Sequence, residues 1–176
     1  MNSSDEIKTI YETHADMVYN LCLNYLQNEE DAQDLTQEIF VKIFQQQTHF
    51  RGQSTLKTWI YRITVNSCLD YIRKHSRKKR FGIRFSLSHQ ENEKFSPINF
   101  RHPGVQMEDE EALKNLFEQI NRLPENQKTA LLLKTTEDLK NPEIAEIMKV
   151  SAKSVESLLG RARKNLEKFL KEARDG

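Results

Sequence analysis

Apolar residues recur at steps of three and four along most of the chain, which is the spacing of one face of an α-helix. The pattern predicts a first helix over residues 5–27 and a second from Glu29 to about residue 47. Three acidic residues occupy the first turn of the second helix, where they complement the helix dipole. A third helix is predicted to follow Ser54, its expected N-cap, and to reach the basic run at residues 77–80.

The helical period is lost over residues 81–106, where Ser, Asn, Pro and Gly accumulate. This composition predicts a flexible linker. The chain is therefore expected to have an N-terminal module over residues 1–80 and a C-terminal module over residues 107–176.

Helical periodicity returns at Met107 and is followed by two helix-start signals, Leu123-Pro124-Glu125 and Asn141-Pro142-Glu143. The three residues Lys149-Val150-Ser151 then form a predicted turn before a last long helix. Two helices joined by so short a turn predict a helix-turn-helix, with Ser151 as N-cap and with Val150, Val155 and Leu158 clamping the angle between the helices.

The composition favours an all-α fold made of two small helical domains, a helical bundle and a helix-turn-helix domain, joined by the linker. The chain has only 5 Gly and 4 Pro among 176 residues, too few for the many tight turns of a sheet-rich fold. No apolar run is long enough to span a membrane, and the first residues lack the features of a signal peptide. We therefore expect no membrane insertion and a cytoplasmic location.

Cysteine and histidine residues give no sign of a metal site. Cys22 and Cys68 lack the short spacings of metal ligands and fall within apolar helical patterns, so buried thiols are favoured over a disulfide or a metal site. The 5 histidines are scattered. We predict no metal and no cofactor.

Charge is sorted along the chain, although the formal net charge is only +1. Residues 1–50 carry a net charge of −7, whereas residues 51–90 carry +9. Concentrated positive charge is expected where a protein meets the phosphate backbone of a nucleic acid, so the acidic first segment must face a different partner.

Three carboxylates, those of Asp31, Asp34 and Glu38, are spaced by three and four residues and fall on one side of the second helix, with Gln37 beside them. As a docking face they would need a basic partner, whereas the alternative is a solvated acidic surface. A metal-dependent nucleotide hydrolase would also use helical carboxylates, but the third helix offers only Asp70 as a further ligand.

The basic third helix carries a polar stripe at steps of four, four and three, formed by Arg62, Asn66, Asp70 and Arg73. Aromatic residues lie close by in the sequence, at Phe50, Trp59 and Tyr61. Cations, aromatic rings and an Asn can together hold unstacked bases of a single strand. The alternative places Trp59 in the core and leaves the basic end solvated; for Trp59 the core position is favoured over a place on the DNA-binding surface.

The last helix offers hydroxyls and cations for duplex DNA: Ser151, Lys153, Ser154, Ser157, Arg161, Arg163 and Lys164. The alternative is a plain helical hairpin with solvated charges. Two residues depart from the usual pattern, because Lys149 stands where such turns prefer Gly and Glu156 places a carboxylate near the DNA.

Three ordered blocks resemble the bacterial RNA polymerase sigma factors of the extracytoplasmic-function (ECF) type. The first is residues 31–40, Asp-Ala-Gln-Asp-Leu-Thr-Gln-Glu-Ile-Phe. The second runs from Phe50-Arg51-Gly52 through Thr58-Trp59-Ile60-Tyr61-Arg62-Ile63 to Asn66, Asp70 and Arg73. The third combines Leu123-Pro124-Glu125-Asn126-Gln127 with Glu143-Ile144-Ala145-Glu146-Ile147 and Arg161-Ala162-Arg163.

The resemblance implies a role for each block. Polymerase binding would involve Asp31, Asp34, Leu35, Gln37, Glu38 and Phe40. The minus-ten DNA would be melted and read by Phe50, Arg51, Gly52, Ser54, Trp59, Tyr61, Arg62, Asn66, Asp70, Arg73 and Arg77. The minus-thirty-five element would be read by the seven residues of the last helix given above.

The resemblance also implies the partners. These are core RNA polymerase, through its β′ clamp helices and β flap, promoter DNA, and an anti-sigma factor that covers the polymerase-binding faces. Catalysis would belong to the polymerase, so the chain itself would be no enzyme and would have no small-molecule substrate. The alternative function is a stand-alone helix-turn-helix regulator that dimerises through residues 1–80.

Overall fold

The computed structural model describes residues 3–47, 50, 52–85 and 107–175, which form seven α-helices and no strand. Side chains are described for residues 5–47, 50, 52–76 and 111–175. The chain divides into two compact units, residues 1–99 and 100–176. The all-α class and the two helical units confirm the expectation from the sequence.

Unit 1 consists of α1 (Ser3–Leu26), α2 (Glu29–Gln46) and α3 (Leu56–Phe85), each in contact with the other two. Its core is mostly apolar, and all three helices contribute large buried side chains, which include Val18, Leu21, Tyr25, Ile39, Ile43, Ile60 and Tyr61. Helix α3 extends beyond the predicted end at residue 80, so the first residues of the predicted linker are helical. The remainder of that linker, residues 86–106, lies outside the described residues.

Local hydrogen bonds fix where two helices of unit 1 begin. The Asn28 side chain accepts a bond from the Asp31 backbone N–H at 2.9 Å and so caps α2. At the start of α3 the cap is Thr55, whose Oγ1 accepts from the Thr58 N–H at 3.1 Å. The predicted cap, Ser54, was therefore wrong by one residue, because a capping hydroxyl must reach the N–H three residues onward.

Unit 2 consists of α4 (Met107–Asn121), α5 (Glu125–Thr135), α6 (Asn141–Met148) and α7 (Ala152–Asp175). Helix α7 contacts the other three, and the shared core includes Phe117, Ile120, Leu132, Leu133, Ile144, Val155, Leu159 and Ala162. Pro142 lies in the first turn of α6 as predicted, whereas Pro124 is the residue that precedes α5. Unit 2 thus contains the predicted helix pair, α6 and α7.

The turn between α6 and α7 closes through the backbone of three residues. Lys149 adopts the left-handed conformation, with φ 55° and ψ 45°, and the Val150 N–H donates to the Ala145 carbonyl at 3.0 Å. Ser151 caps α7, since its Oγ accepts from the Ser154 N–H at 3.1 Å. Of the three predicted clamping residues, Val155 is buried in the core and Leu158 is half-buried, whereas the prediction was wrong for Val150, which is 39% exposed.

Candidate functional site

The α2 residues that were predicted to bind the polymerase differ in their exposure to solvent. Asp34, Gln37 and Glu38 are exposed, and Val41 beside them is 53% exposed. We call these four residues the acidic face of α2. Sequence reasoning missed Val41, although its position four residues after Gln37 places it on the same side of the helix.

Two residues predicted as members of the polymerase-binding site, Leu35 and Phe40, are buried. The Phe40 ring meets Tyr11 of α1 edge-on, with 4.7 Å between the ring centroids, and lies 5.9 Å from the ring of Phe44. These side chains hold α2 against its neighbours, and the exposed surface is left to the acidic face.

Asp31 is half-buried and accepts a hydrogen bond from Tyr71 of α3. Burial, this bond and the charges of Asp31, Asp34 and Glu38 hold the pKa of Tyr71 well above its usual range. The Asp31–Tyr71 bond therefore links α2 to α3. A second link joins the same two helices, since Lys42 Nζ donates to Ser67 Oγ at 3.1 Å.

Two aromatic rings pack together where the chain enters α3. Phe50 and Trp59 are both half-buried, and their ring centroids lie 5.4 Å apart. Between them Gly52 has a φ of +68° with no heavy atom within 4 Å of an added Cβ, so backbone conformation is the reason for a glycine there. Ser54 is half-buried, and Arg51 lies outside the described residues.

The polar stripe of α3 is accessible along most of its length. Asn66 and Asp70 are exposed and Arg62 is half-buried, while Arg73 donates to Asp70 with 3.4 Å between Nη1 and Oδ1. Arg77 belongs to α3, but its side chain lies outside the described residues.

Tyr61 does not join the polar stripe, because it is only 2% exposed and forms part of the core of unit 1. The ammonium of Lys57 lies 5.8 Å from the centroid of the Tyr61 ring. Of the two neighbouring aromatic residues, Tyr61 is thus the core residue and Trp59 the partly accessible one, whereas the sequence favoured the reverse.

The predicted residues of α7 are all exposed, but they do not share one face. Lys153, Ser157, Arg161 and Lys164 fall within one sector opposite the buried stripe, at about 100° per residue. Arg163 is about 120° around the helix from Ser157. Ser151 and Ser154 hydrogen-bond to each other through their hydroxyls at 2.8 Å while they cap the helix.

Within the described part of the chain, no three or more His, Cys, Asp and Glu side chains form a group that could hold a metal ion. The hydrolase alternative needs several carboxylates around one ion. Likewise, no described helix is long and apolar enough to cross a membrane.

Comparison with known proteins identifies the family of both helical units. The Sigma-70 region 2 family matches residues 10–78, and the Sigma-70 region 4 family matches residues 113–166. The chain belongs to the ECF sigma factors of the sigma-70 family. As a sigma factor it directs transcription initiation, and the two family matches fall one on each helical unit.

Similar sigma factors match over most of their length. The RNA polymerase sigma factor SigV of Bacillus subtilis is 31% identical over 156 residues, which covers 89% of this chain and 86% of that protein. The ECF RNA polymerase sigma factor SigW of the same species is 29% identical over 173 residues, covering 96% and 90%.

A solved structure shares the fold. It is the sigma factor RpoE in complex with the anti-sigma factor NepR from Bartonella quintana, with a TM-score of 0.68, 20% identity, and coverage of 94% of this chain and 97% of that one.

Proposed function

We propose that this sigma factor uses three separate surfaces for three tasks: the acidic face of α2 for core RNA polymerase, the Phe50–Trp59 end of α3 for melted minus-ten DNA, and α7 for the minus-thirty-five duplex. The observation that carries the proposal is that the family matches and the oppositely charged surfaces occur together. Unit 1 presents acidic and basic surfaces on neighbouring helices, and unit 2 presents a capped helix with exposed cations.

The acidic face of α2 suits a basic protein surface better than it suits DNA. Its carboxylates, Asp34 and Glu38, would repel phosphate, and exposed Val41 gives the face an apolar contact at its centre. We assign this face to the β′ clamp helices of the polymerase. Asp31, Leu35 and Phe40 then serve as supports, because Asp31 is held by Tyr71 and the other two are buried.

The entrance to α3 suits a single strand. Phe50 and Trp59 present partly accessible rings on which a base can stack, and Gly52 gives the loop the backbone conformation that a side chain would oppose. Exposed Asn66 offers a donor and an acceptor to a base edge, while Arg73 supplies charge for the backbone. Arg51 and Arg77 are proposed for the same strand from the sequence alone.

Helix α7 suits the major groove of a duplex. Lys153, Ser157 and Arg161 share an exposed sector near the N-terminal turns, which is the part of a recognition helix that meets base edges. Lys164 continues the sector toward the phosphates. Arg163 lies outside this sector, so we assign it to a phosphate or to the β flap of the polymerase. We assign Ser151 and Ser154 to the helix cap.

An anti-sigma factor is the proposed regulator. The solved RpoE structure is a complex with the anti-sigma factor NepR, and its chain has the same fold as this one. An inhibitor of this kind would have to cover the acidic face of α2 or the DNA-binding sector of α7. We further propose that the protein acts in the bacterial cytoplasm, where the polymerase carries out the catalysis and this chain carries out none.

Reconstitution tests the proposal. Purified full-length chain, added to bacterial core polymerase and genomic DNA fragments, should give transcripts that start at discrete positions, while core polymerase alone should not. Sequencing those transcripts would identify the promoter elements. Failure of the folded chain to bind any bacterial core polymerase would overturn the proposal.

A DNA-binding experiment with the same purified proteins distinguishes a sigma factor from a stand-alone regulator. A regulator would bind a palindromic duplex tightly as a dimer without polymerase, whereas we expect this chain to bind promoter DNA tightly only when polymerase holds it. A gel-shift experiment with and without core polymerase measures the difference. Tight binding by the chain alone, unchanged by core polymerase, would favour the regulator.

A further inference from the structure

Two thiols meet in the interior of unit 1, away from all three proposed surfaces. Cys22 of α1 and Cys68 of α3 are both fully buried, at 0% exposure, and their sulfurs lie 3.8 Å apart. The Cys68 thiol donates to the Cys22 sulfur. The two residues are 46 positions apart in the sequence, so only the packing of α1 against α3 brings them together.

The surroundings of the pair lower the pKa of one of the two thiols. The hydrogen bond from Cys68 lowers the pKa of Cys22, burial acts in the opposite direction, and a bond from the Thr36 side chain lowers it again, with a net decrease. Because the thiolate is the nucleophile in cysteine chemistry, Cys22 is the residue expected to react first and Cys68 the one expected to resolve the product.

We propose that Cys22 and Cys68 form a redox modification site at which a peroxide converts the two thiols into a disulfide between α1 and α3. In the first step the Cys22 sulfur attacks a peroxide oxygen, the O–O bond breaks, and water leaves as Cys22 becomes a sulfenic acid. In the second step the Cys68 sulfur attacks the Cys22 sulfur, the S–O bond breaks, and a second water leaves. Two thiols lose two electrons and two hydrogens, and hydrogen peroxide becomes two waters.

The geometry and the burial of the pair determine which oxidant fits. The sulfurs must approach from 3.8 Å to a bond length of about 2.05 Å, and rotation about the two Cα–Cβ bonds is the motion that we propose brings them together. A peroxide molecule is only slightly larger than water and can reach a buried sulfur during small fluctuations. A bulky disulfide such as oxidised glutathione needs a larger opening of the core.

The bond would change the stability of unit 1. It closes a loop that contains the whole of α2, so it restricts the unfolded chain more than the folded one. This modification goes beyond the proposed function and does not depend on it, since it concerns the core of the unit and not its partners.

The test uses the native full-length protein treated with hydrogen peroxide. Remaining thiols are alkylated in denaturant, and intact mass and non-reducing peptide maps are recorded. We expect a monomer that has lost both alkylatable thiols, a linked peptide pair containing Cys22 and Cys68, and reversal by dithiothreitol. Calorimetry of the oxidised protein should show the Tm of unit 1 raised by about 8 °C or more. Two thiols that remain alkylatable, or oxidation found only as intermolecular dimers or separate sulfinic acids, would overturn the proposal.

Two single variants and a second oxidant sharpen the result. In Cys68→Ala, Cys22 should accumulate as a sulfenic acid that dimedone traps, with no linked peptide and no rise in Tm. In Cys22→Ala, Cys68 should react much more slowly, and equal rates would contradict the assigned order. Oxidised glutathione should act at least about tenfold more slowly than peroxide, since it needs core opening. If either variant fails to fold, the peptide map of the wild-type protein still decides.

Discussion

The proposed polymerase-binding surface of unit 1 and the proposed DNA-binding surface of unit 2 are built in different ways. The acidic face of α2 is positioned by contacts with another helix, through the Tyr71–Asp31 bond and the Lys42–Ser67 bond. The proposed DNA-binding sector of α7 is a property of one helix, whose start is fixed by its own cap and by the turn at Lys149. Polymerase binding should therefore depend on tertiary contacts, and duplex reading on local structure.

Charge reversal on the acidic face should have the largest effect. Glu38→Lys would place a cation against a basic partner, and repulsion of about 3 kcal/mol corresponds to about a 100-fold loss of affinity for core polymerase. Fluorescence anisotropy of labelled sigma factor with core polymerase measures the loss. Glu29→Lys is the matched control, because Glu29 is exposed on the same helix about 180° away from Glu38. Equal losses in both variants would contradict the assignment.

Removal of a cation from α7 should have a moderate effect. Arg161→Ala should weaken binding to the upstream duplex by about tenfold. It should also make the slope of log K against log[salt] shallower by about one, because that slope counts the phosphates that the protein neutralises. Salt titrations of holoenzyme on promoter fragments give both values. Arg163→Ala removes the same charge from another side of α7 and should leave base selectivity unchanged. A larger loss of selectivity in Arg163→Ala would place the reading surface elsewhere.

Asn66→Ala should reduce open-complex formation by about fivefold, the value of one lost hydrogen bond of about 1 kcal/mol to a base. Binding to core polymerase should stay unchanged, because Asn66 lies on α3 and not on the acidic face of α2. Permanganate footprinting of the melted strand measures the first quantity. Asn20→Ala, at an exposed position on α1, is the matched control. Reduced polymerase affinity in Asn66→Ala would show that the two surfaces of unit 1 are not separable.

Lys149→Gly tests how local the structure of unit 2 is. Lys149 has a φ of 55°, a left-handed conformation that glycine adopts without strain. The substitution should therefore remove about 1 kcal/mol of backbone strain and raise the Tm of unit 2 by roughly 4 °C or more. Calorimetry of the full chain measures the shift. Lys153→Gly is the control, because glycine inside the first turn of α7 should lower the Tm. A lower Tm for Lys149→Gly would mean that the Lys149 side chain contributes contacts that outweigh the strain.

The smallest effect is expected for His14 in unit 1. Burial lowers its pKa below the usual 6.5, and the charge of Lys57 lowers it further. The unfolded chain therefore binds the proton more strongly, so this contribution to stability is complete above about pH 6.5 and declines as the pH falls below that value. Urea titrations at pH 5.5 and 7.5 should show a smaller pH difference for His14→Gln than for the wild type. An unchanged difference would assign the pH dependence to other groups.

The part of the site that the sequence could predict is the part that depends on local helical structure and not on contacts between helices. Asp34, Gln37 and Glu38 could be placed on one exposed side of α2 because helical periodicity alone decides that placement. Trp59 was favoured as the core residue and Tyr61 occupies the core instead, because which ring is buried depends on how α3 packs against α1 and α2. The roles of these residues in binding remain predictions for the experiments above.

The sequence by itself determined the helices, the break between the two modules and the helix-turn-helix, because periodicity, capping residues and proline positions act over a few residues. It also determined the family, through blocks of residues in a fixed order. Only the tertiary structure decided that Tyr61 is in the core, that Val150 is exposed, that Tyr71 and Lys42 support α2, and that Cys22 meets Cys68. Those outcomes depend on how helices pack against one another, and contacts between residues distant in the chain leave no local pattern.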